Sequence, residues 1–438
     1  MRFKVFKNTV LLLVLTVISC GNNFKTDDSI QKSVNRSSTT KVFENKETST
    51  AFNATEANTK PIIVGANRTE LYLPLLQGKR IGVVANQTSV IFKGANTILR
   101  TSEIDVSFTH LIDSLLSLNV DIKKVFAPEH GFRGTADAGE IVKDGKDTKT
   151  GLPILSLHGK HKKPTDTQLQ DLDLMVFDIQ DVGVRFYTYI STLHYVMEAC
   201  AENNIPLLIL DRPNPNGSYI DGPVLEKEHS SFLGMHPVPL VHGMTIGEYA
   251  KAINGESWLN DGVTCEITVI EVKNYSHEST YSLPIRPSPN LPNDQAILLY
   301  PSLGLFEGTN INAGRGTEFQ FQRYGAPFLN KNHFSFSYTP IANFGSKNPK
   351  HMDTICYGVD LSEVKAERHF TLKYIIDAYN NASDKSKVFN TANFTTHAGT
   401  KTLQQQIESG ISEAEIRASW QTDLDRFKTT RLKYLIYD

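Results

Sequence analysis

The chain has 438 residues, with 45 Lys and Arg against 47 Asp and Glu, and four cysteines. It is long enough for two domains, and a near-neutral charge without a basic run excludes an electrostatic nucleic-acid binder. After Cys20, the remaining cysteines at 200, 265 and 356 are too far apart and too few for a disulfide framework or a zinc motif.

Arg2, Lys4 and Lys7 precede an apolar run, Thr9 to Ile18, that is too short to span a bilayer. Val17-Ile18-Ser19-Cys20 resembles a bacterial lipobox, which implies cleavage before Cys20 and lipid on its thiol; an ordinary secretory leader is the plainer alternative. Residues 1–20 are therefore read as a lipoprotein signal peptide. In residues 21–60, 18 of 40 are Ser, Thr or Asn, and such a segment buries too little apolar surface to offset its ordering entropy. It reads as a disordered tether leading to a body held at a membrane of the cell envelope.

From Arg80 onward short apolar runs alternate with helical patterns. Arg80–Ala85, Lys124–Ala127, Leu174–Phe177, Pro206–Leu210 and Val238–Val241 read as strands buried on both faces. Leu111, Ile112, Leu115 and Leu116 make one helical stripe, and Leu193, Val196, Met197 and Cys200 another, capped by Ser191 or Thr192. Ile246, Tyr249, Ala250 and Ile253 make a third, with Thr245 as cap and Glu248 at capping-box spacing. The alternation predicts an α/β fold with a doubly wound, mainly parallel sheet.

Polar motifs follow each expected strand: Asn86-Gln87, Glu129-His130, Asp178 to Asp181, Asp211-Arg212-Pro213-Asn214, and His242-Gly243. Carboxyl ends of parallel strands face one crevice where ligands bind, so these motifs are candidates for a site; taken singly, each is as well explained by capping a turn. There is no dinucleotide fingerprint, Walker loop, G-x-S-x-G elbow or HExxH, which leaves carboxylates as the chief catalytic resource and no cofactor expected.

The stretches GKRIGVVANQTSV (78–90), FAPEHGFRGTADAGE (126–140), VFDIQDVGVRFYTYISTL (176–193), LDRPNPNG (210–217), HGMTIGEYA (242–250), RPSPNLP (286–292) and EGTNINAGRGTEFQF (307–321), in this order, resemble the exo-β-N-acetylmuramidases of glycoside hydrolase family 171. With ASWQTDLDRFKTTRLKYLIY (418–437) the resemblance covers nearly the whole chain beyond Asn67. It implies a Rossmann-like catalytic domain at 61–285, a smaller α+β C-terminal domain at 286–438 completing the cleft, and release of N-acetylmuramic acid from non-reducing ends of peptidoglycan fragments.

On that reading Glu129 is the general acid and His130 orients it or binds sugar. The second catalytic group is Glu307 or Asp181, with retaining, inverting and substrate-assisted mechanisms all open. Arg133, Arg185 and Arg315 are candidates for the product's lactyl carboxylate, because a guanidinium can bind both carboxylate oxygens. Tyr187 and Tyr189 would face one way in an extended segment and support a sugar ring. Asn86, Asn290 and Asn310 would donate to sugar hydroxyls or the acetamido group. Asp178, Gln180, Asp211, Arg212, Asn214 and His242 complete the substrate-binding candidates. Two other classes fit some features: a lipid-anchored glycan-binding protein without hydrolysis, and a metal-dependent hydrolase using His130, His242 and an aspartate, for which no local ligand spacing exists.

Overall fold

A computed structural model describes residues 60–93, 107–134 and 144–438; the leader, Cys20 and the tether lie outside the described residues. The seven-stranded sheet is built from β1 (Ile81–Ala85), β2 (Ile122–Ala127), β3 (Gly145–Lys146), β4 (Pro153–Ser156), β5 (Leu174–Asp178), β6 (Leu207–Leu210) and β7 (Ile267–Ile270). β1, β5 and β6 are buried along their whole length, as their unbroken apolar sequences require. The spatial order is β7-β6-β5-β1-β2-β4-β3. All pairings are parallel except β3 with β4. Setting β3 aside, strand order in sequence terms is third, second, first, fourth, fifth, sixth, which is the Rossmann order. The chain leaves β1 toward β2 on one side and returns to β5 on the other, so the crevice opens beyond the ends of β1, β2 and β5.

The expected strand Val238–Val241 exists as Pro239–Val241, but it pairs antiparallel with Asp221–Val224 in a separate two-stranded sheet. Pro239 has no N–H for a ladder, a residue that central strands do not tolerate. The edge of the main sheet is taken instead by β7, whose partly exposed sequence gives no continuous apolar signal. His242 therefore does not follow a strand of the parallel sheet.

The helix Leu111–Ser117 carries the first expected stripe. Ile246–Gly255 begins with the expected capping box of Thr245 and Glu248. Tyr189–Glu202 starts earlier than expected, with Thr188 rather than Ser191 or Thr192 at the N-cap and no side-chain capping bond. The Thr188 hydroxyl is engaged elsewhere, donating to Glu129 Oε2 at 3.1 Å. Cys200, Cys265 and Cys356 are buried free thiols.

Beyond the proline-rich link come the helix Asp294–Leu303 and a three-stranded antiparallel sheet with Cys356–Asp360 between Arg323–Ala326 and Phe336–Tyr338. Five α-helices and a short 3-10 turn follow, ending with Gln421–Arg431. Thr59–Asp438 forms one compact unit. One continuous apolar core runs from Phe177 and Leu193 through Leu303 and Phe306 to Phe394 and Leu424. The other face of the sheet buries Tyr72, Leu76, Leu111 and Leu115. The last residues return to the parallel sheet: the Tyr437 hydroxyl donates to Asp211 Oδ2 at 2.7 Å, and the Ile436 amide donates to Glu248 Oε1 at 2.9 Å.

Candidate active site

A half-open cavity of about 280 Å³ lies between the end of β2 and the second region. Glu129 and His130 enter it from the loop after β2, Phe186 to Thr188 from the turn before the long helix, and Tyr189 from that helix's first residue. Ser288, Asn290 and Leu291 come from the link, and Tyr300, Glu307, Arg315, Phe321 and His397 from the second region.

The turn that presents Glu129 is unusual. His130 has φ 68° and Gly131 φ 75°, so two successive residues are left-handed, and the Gly131 amide closes back on Pro128 O at 3.0 Å. A buried histidine in this region carries backbone strain on the order of 1 kcal/mol or more, which persists where surrounding structure enforces it. The turn lets Glu129 face the cavity, where its carboxylate accepts the Thr188 hydrogen bond. Phe132 and Arg133, three and four residues on, belong to another environment: Arg133 is clamped by Asp147 at 2.9 and 2.7 Å.

Glu307 sits on the 3-10 turn Gly304–Gly308, half-buried, with its Oε2 2.8 Å from Arg315 Nη1. Burial pulls its carboxyl upward, but Arg315, Lys350 and His397 together outweigh that and hold it below the ordinary glutamate range. Arg315 also reaches Gly345 O at 3.3 Å. Tyr187 and Tyr189 are not on an extended strand; one precedes the helix and the other begins it, with rings edge to face at 4.9 Å. Both hydroxyls donate to Pro287 O, at 2.7 and 3.4 Å, which ties this wall to the link.

Glu129, His130, Tyr187, Tyr189, Asn290, Glu307 and Arg315 thus meet at one cavity. The remaining candidates do not line it, and each has a visible structural role. Arg212 grips Asp178 through two bonds of 2.6 and 2.9 Å, both side chains fully enclosed. Asp211 accepts from Thr245, Gly247 and Tyr437, and burial still pushes its carboxyl up to about 6. Asn214 bonds Met244 O and the Asn216 amide, and Gln180 bonds Asp181 O and Pro213 O. Asn86 donates to Tyr189 Oη at 2.9 Å, behind the cavity wall. Arg185 is buried and directs its guanidinium at the carbonyls of Pro223, Val238, His397 and Ala398. Asn310 is at the surface, bonded to Lys387 O.

Asp181 is buried just behind the tyrosines, with burial pushing its carboxyl up to about 7 against hydrogen bonds from the Gly183 and Val182 amides. His242 Nε2 stands 3.9 Å from Asp181 Oδ2. The imidazole is pushed down to about 3 by burial, Arg431 and Arg185, so it is neutral. Among the described residues His130 and His242 do not gather with an aspartate into a metal-ligand cluster.

Thr188, Tyr300, Ser288 and His397 line the cavity and carried no signal of their own in the sequence. Tyr300 lies inside a helix and His397 in an unremarkable THAGT, so neither stands out locally. Thr188 is adjacent to the candidate tyrosines, and Ser288 lies within RPSPNLP.

Hydrolysis of a glycosidic bond uses two carboxylates facing one cavity, so the cavity fits a glycosidase, and the family match below gives that class. Sequence comparison narrows the class. The chain belongs to the exo-beta-N-acetylmuramidase NamZ family, whose N-terminal model matches residues 81–295 and whose C-terminal model matches residues 298–437. It is 40% identical over 386 residues to the peptidoglycan beta-N-acetylmuramidase NamZ of Bacillus subtilis, covering 84% of this chain and 89% of the relative. Two crystal structures of DUF1343 family proteins from Bacteroides fragilis share the fold. The first has a TM-score of 0.76 and 43% identity, covering 86% of this chain and 99% of the other. The second has a TM-score of 0.70 and 28% identity, covering 86% and 100%.

Proposed function

We propose that this protein is an exo-acting glycosidase that releases N-acetylmuramic acid from non-reducing ends of peptidoglycan fragments, as its family and its Bacillus relative indicate. The observation that carries the reading is the placement of Glu129 and Glu307, from separate elements, on one cavity. Glu129 is the proton donor to the departing glycosidic oxygen. Glu307, kept ionised by Arg315, is the anionic partner, acting on water or on the sugar's reacting face. Tyr187, Tyr189 and Tyr300 offer aromatic surface to the sugar ring. Arg315 is the arginine of the three at the cavity, and we assign it to the lactyl carboxylate as well as to Glu307. A pair of carboxylates on one cavity favours hydrolysis over binding alone.

The test is product analysis on a MurNAc-GlcNAc disaccharide. Many turnovers of free MurNAc per protein chain support the reading, whereas protection of the disaccharide at stoichiometric ratio makes the protein a binder. We also propose that Cys20 carries lipid and holds the enzyme at the cell envelope, with residues 21–60 as the tether. A tether of about 40 residues reaches about 35 Å on average at ~5–6 Å per root residue. Labelled fatty acid should enter the wild type and not Cys20→Ser; label absent from the wild type removes the anchor and leaves the catalytic reading intact.

A further inference from the structure

The turn after the strand Asp221–Val224 brings Glu226, Glu228 and His229 together, with one ligand atom from each lying within 4.8 Å of the others. Paired acidic side chains at a surface mean little alone. What sets this group apart is His229, whose side chain is only 10% exposed and whose Nε2 is fully enclosed with no hydrogen-bond partner. It points between the two carboxylates, 3.4 Å from Glu226 Oε2 and 3.4 Å from Glu228 Oε1.

That spacing fits a shared ion. An imidazolium bonded to a carboxylate closes to about 2.7–2.9 Å. Two donor atoms on one zinc ion, each about 2.0–2.1 Å from it at tetrahedral angles, stand about 3.4 Å apart. The nitrogen is thus too far from either oxygen for a good hydrogen bond and at the right separation for a shared ion. Glu226 is also oriented to ligate. Its other oxygen, Oε1, accepts from the Thr400 hydroxyl at 2.6 Å, which turns Oε2 toward His229.

We infer that Glu226, Glu228 and His229, none of which lines the catalytic cavity, form a binding site for a divalent transition metal of the zinc class. One imidazole and two carboxylates suit zinc better than calcium, which takes oxygen ligands. Three protein ligands leave the fourth position to water. The site also joins two parts of the chain. The Glu226 amide donates to Gly399 O at 2.9 Å, and Gly399 and Thr400 follow directly on the helix Thr391–Ala398 that carries His397 into the cavity wall. A bound ion would fix the Glu226 side chain, which also accepts from Thr400 just beyond the C-terminal end of that helix.

The experiment is calorimetric titration of the full chain, stripped by chelator and dialysed, with zinc chloride alone, paired with thermal denaturation. The wild type should take up one zinc ion and melt at a higher temperature with it. Glu228→Gln and His229→Gln should each weaken that uptake by about 100-fold or more, since even a lost outer-shell partner costs 10–100-fold. The Glu228 side chain is 71% exposed, so Glu228→Gln should fold normally and cleave substrate at the wild-type rate. No zinc uptake by the wild type, uptake that both variants retain, or calcium bound as tightly as zinc would each overturn the assignment.

Discussion

Polar side chains at the ends of β5 and β6 and polar side chains at the cavity both set carboxylates beside an arginine, yet they are in different physical states. Asp178, Arg212 and Asp211 are enclosed, with 0 to 4% exposure, and matched to protein partners. Glu129 and Glu307 are half-buried, reach a common cavity, and share it with an arginine and tyrosines. A polar group at a strand end is therefore of two kinds. One closes the fold at the place where sheet and second region meet; the other is left facing the solvent-accessible crevice. The difference lies in enclosure: Asp178 and Asp211 are sealed from solvent, whereas Glu129 and Glu307 are half-buried at the cavity.

The largest expected effect separates the two kinds by activity. Glu129→Gln should lower kcat for MurNAc release by roughly 10³-fold, within the range of a lost general acid, with an unchanged melting temperature. Wild-type turnover in a folded Glu129→Gln protein would remove it from the mechanism. Arg212→Met should do the converse. It leaves Asp178 buried without its cation and should cost about 3–5 kcal/mol of stability, read by denaturant unfolding, while turnover per folded molecule stays near wild type. A large kcat loss in Arg212→Met would erase the distinction.

A third effect concerns pH. The Asp181 carboxyl is raised to about 7 in the folded protein, above its unfolded value, so the folded state holds the extra proton at mildly acid pH. Its contribution to stability is complete below the unfolded value near 4 and is lost as pH rises through about 7. Between pH 5 and pH 8 the wild type should lose on the order of 2–3 kcal/mol from this group alone. Asp181→Asn should flatten the melting-temperature profile in that window; an identical profile would refute the buried neutral carboxyl. The smallest effect is at Arg315. Arg315→Ala should reduce kcat/KM by roughly 10–100-fold, the scale of a lost charged hydrogen bond. It should also move the acid limb of the kcat profile to higher pH, because the cation that keeps Glu307 ionised is gone. Arg315→Lys should restore part of the limb's position.

Much of the frame could be read from the chain. Unbroken apolar runs located β1, β2, β5 and β6, and Thr245 with Glu248 located a helix start to the residue. The runs say which segments are buried but not which neighbour they pair with, so Pro239–Val241 was expected in the wrong sheet. The same limit governs the site. Glu129 and His130 stood out because carboxylate, imidazole and glycine are adjacent in sequence, and Glu307 and Arg315 because of the family resemblance. Arg212 and Asp178 looked like ligand-binding groups because their pairing joins the ends of neighbouring strands, a relation that sequence separation hides. His397 and Tyr300 reach the cavity only through the packing of the second region, which no local pattern encodes.

The return of the chain's last residues has a consequence for how the molecule is made. The Tyr437 hydroxyl donates to Asp211 and accepts from the Val272 amide, and the Ile436 amide donates to Glu248, all within the region synthesised first. During synthesis the parallel sheet emerges long before these partners do, so Asp211 and Glu248 lack these hydrogen bonds until some 160 further residues have been added after β7. This seam therefore rests on contacts between residues 188 to 226 positions apart, which close only once both stretches are in place.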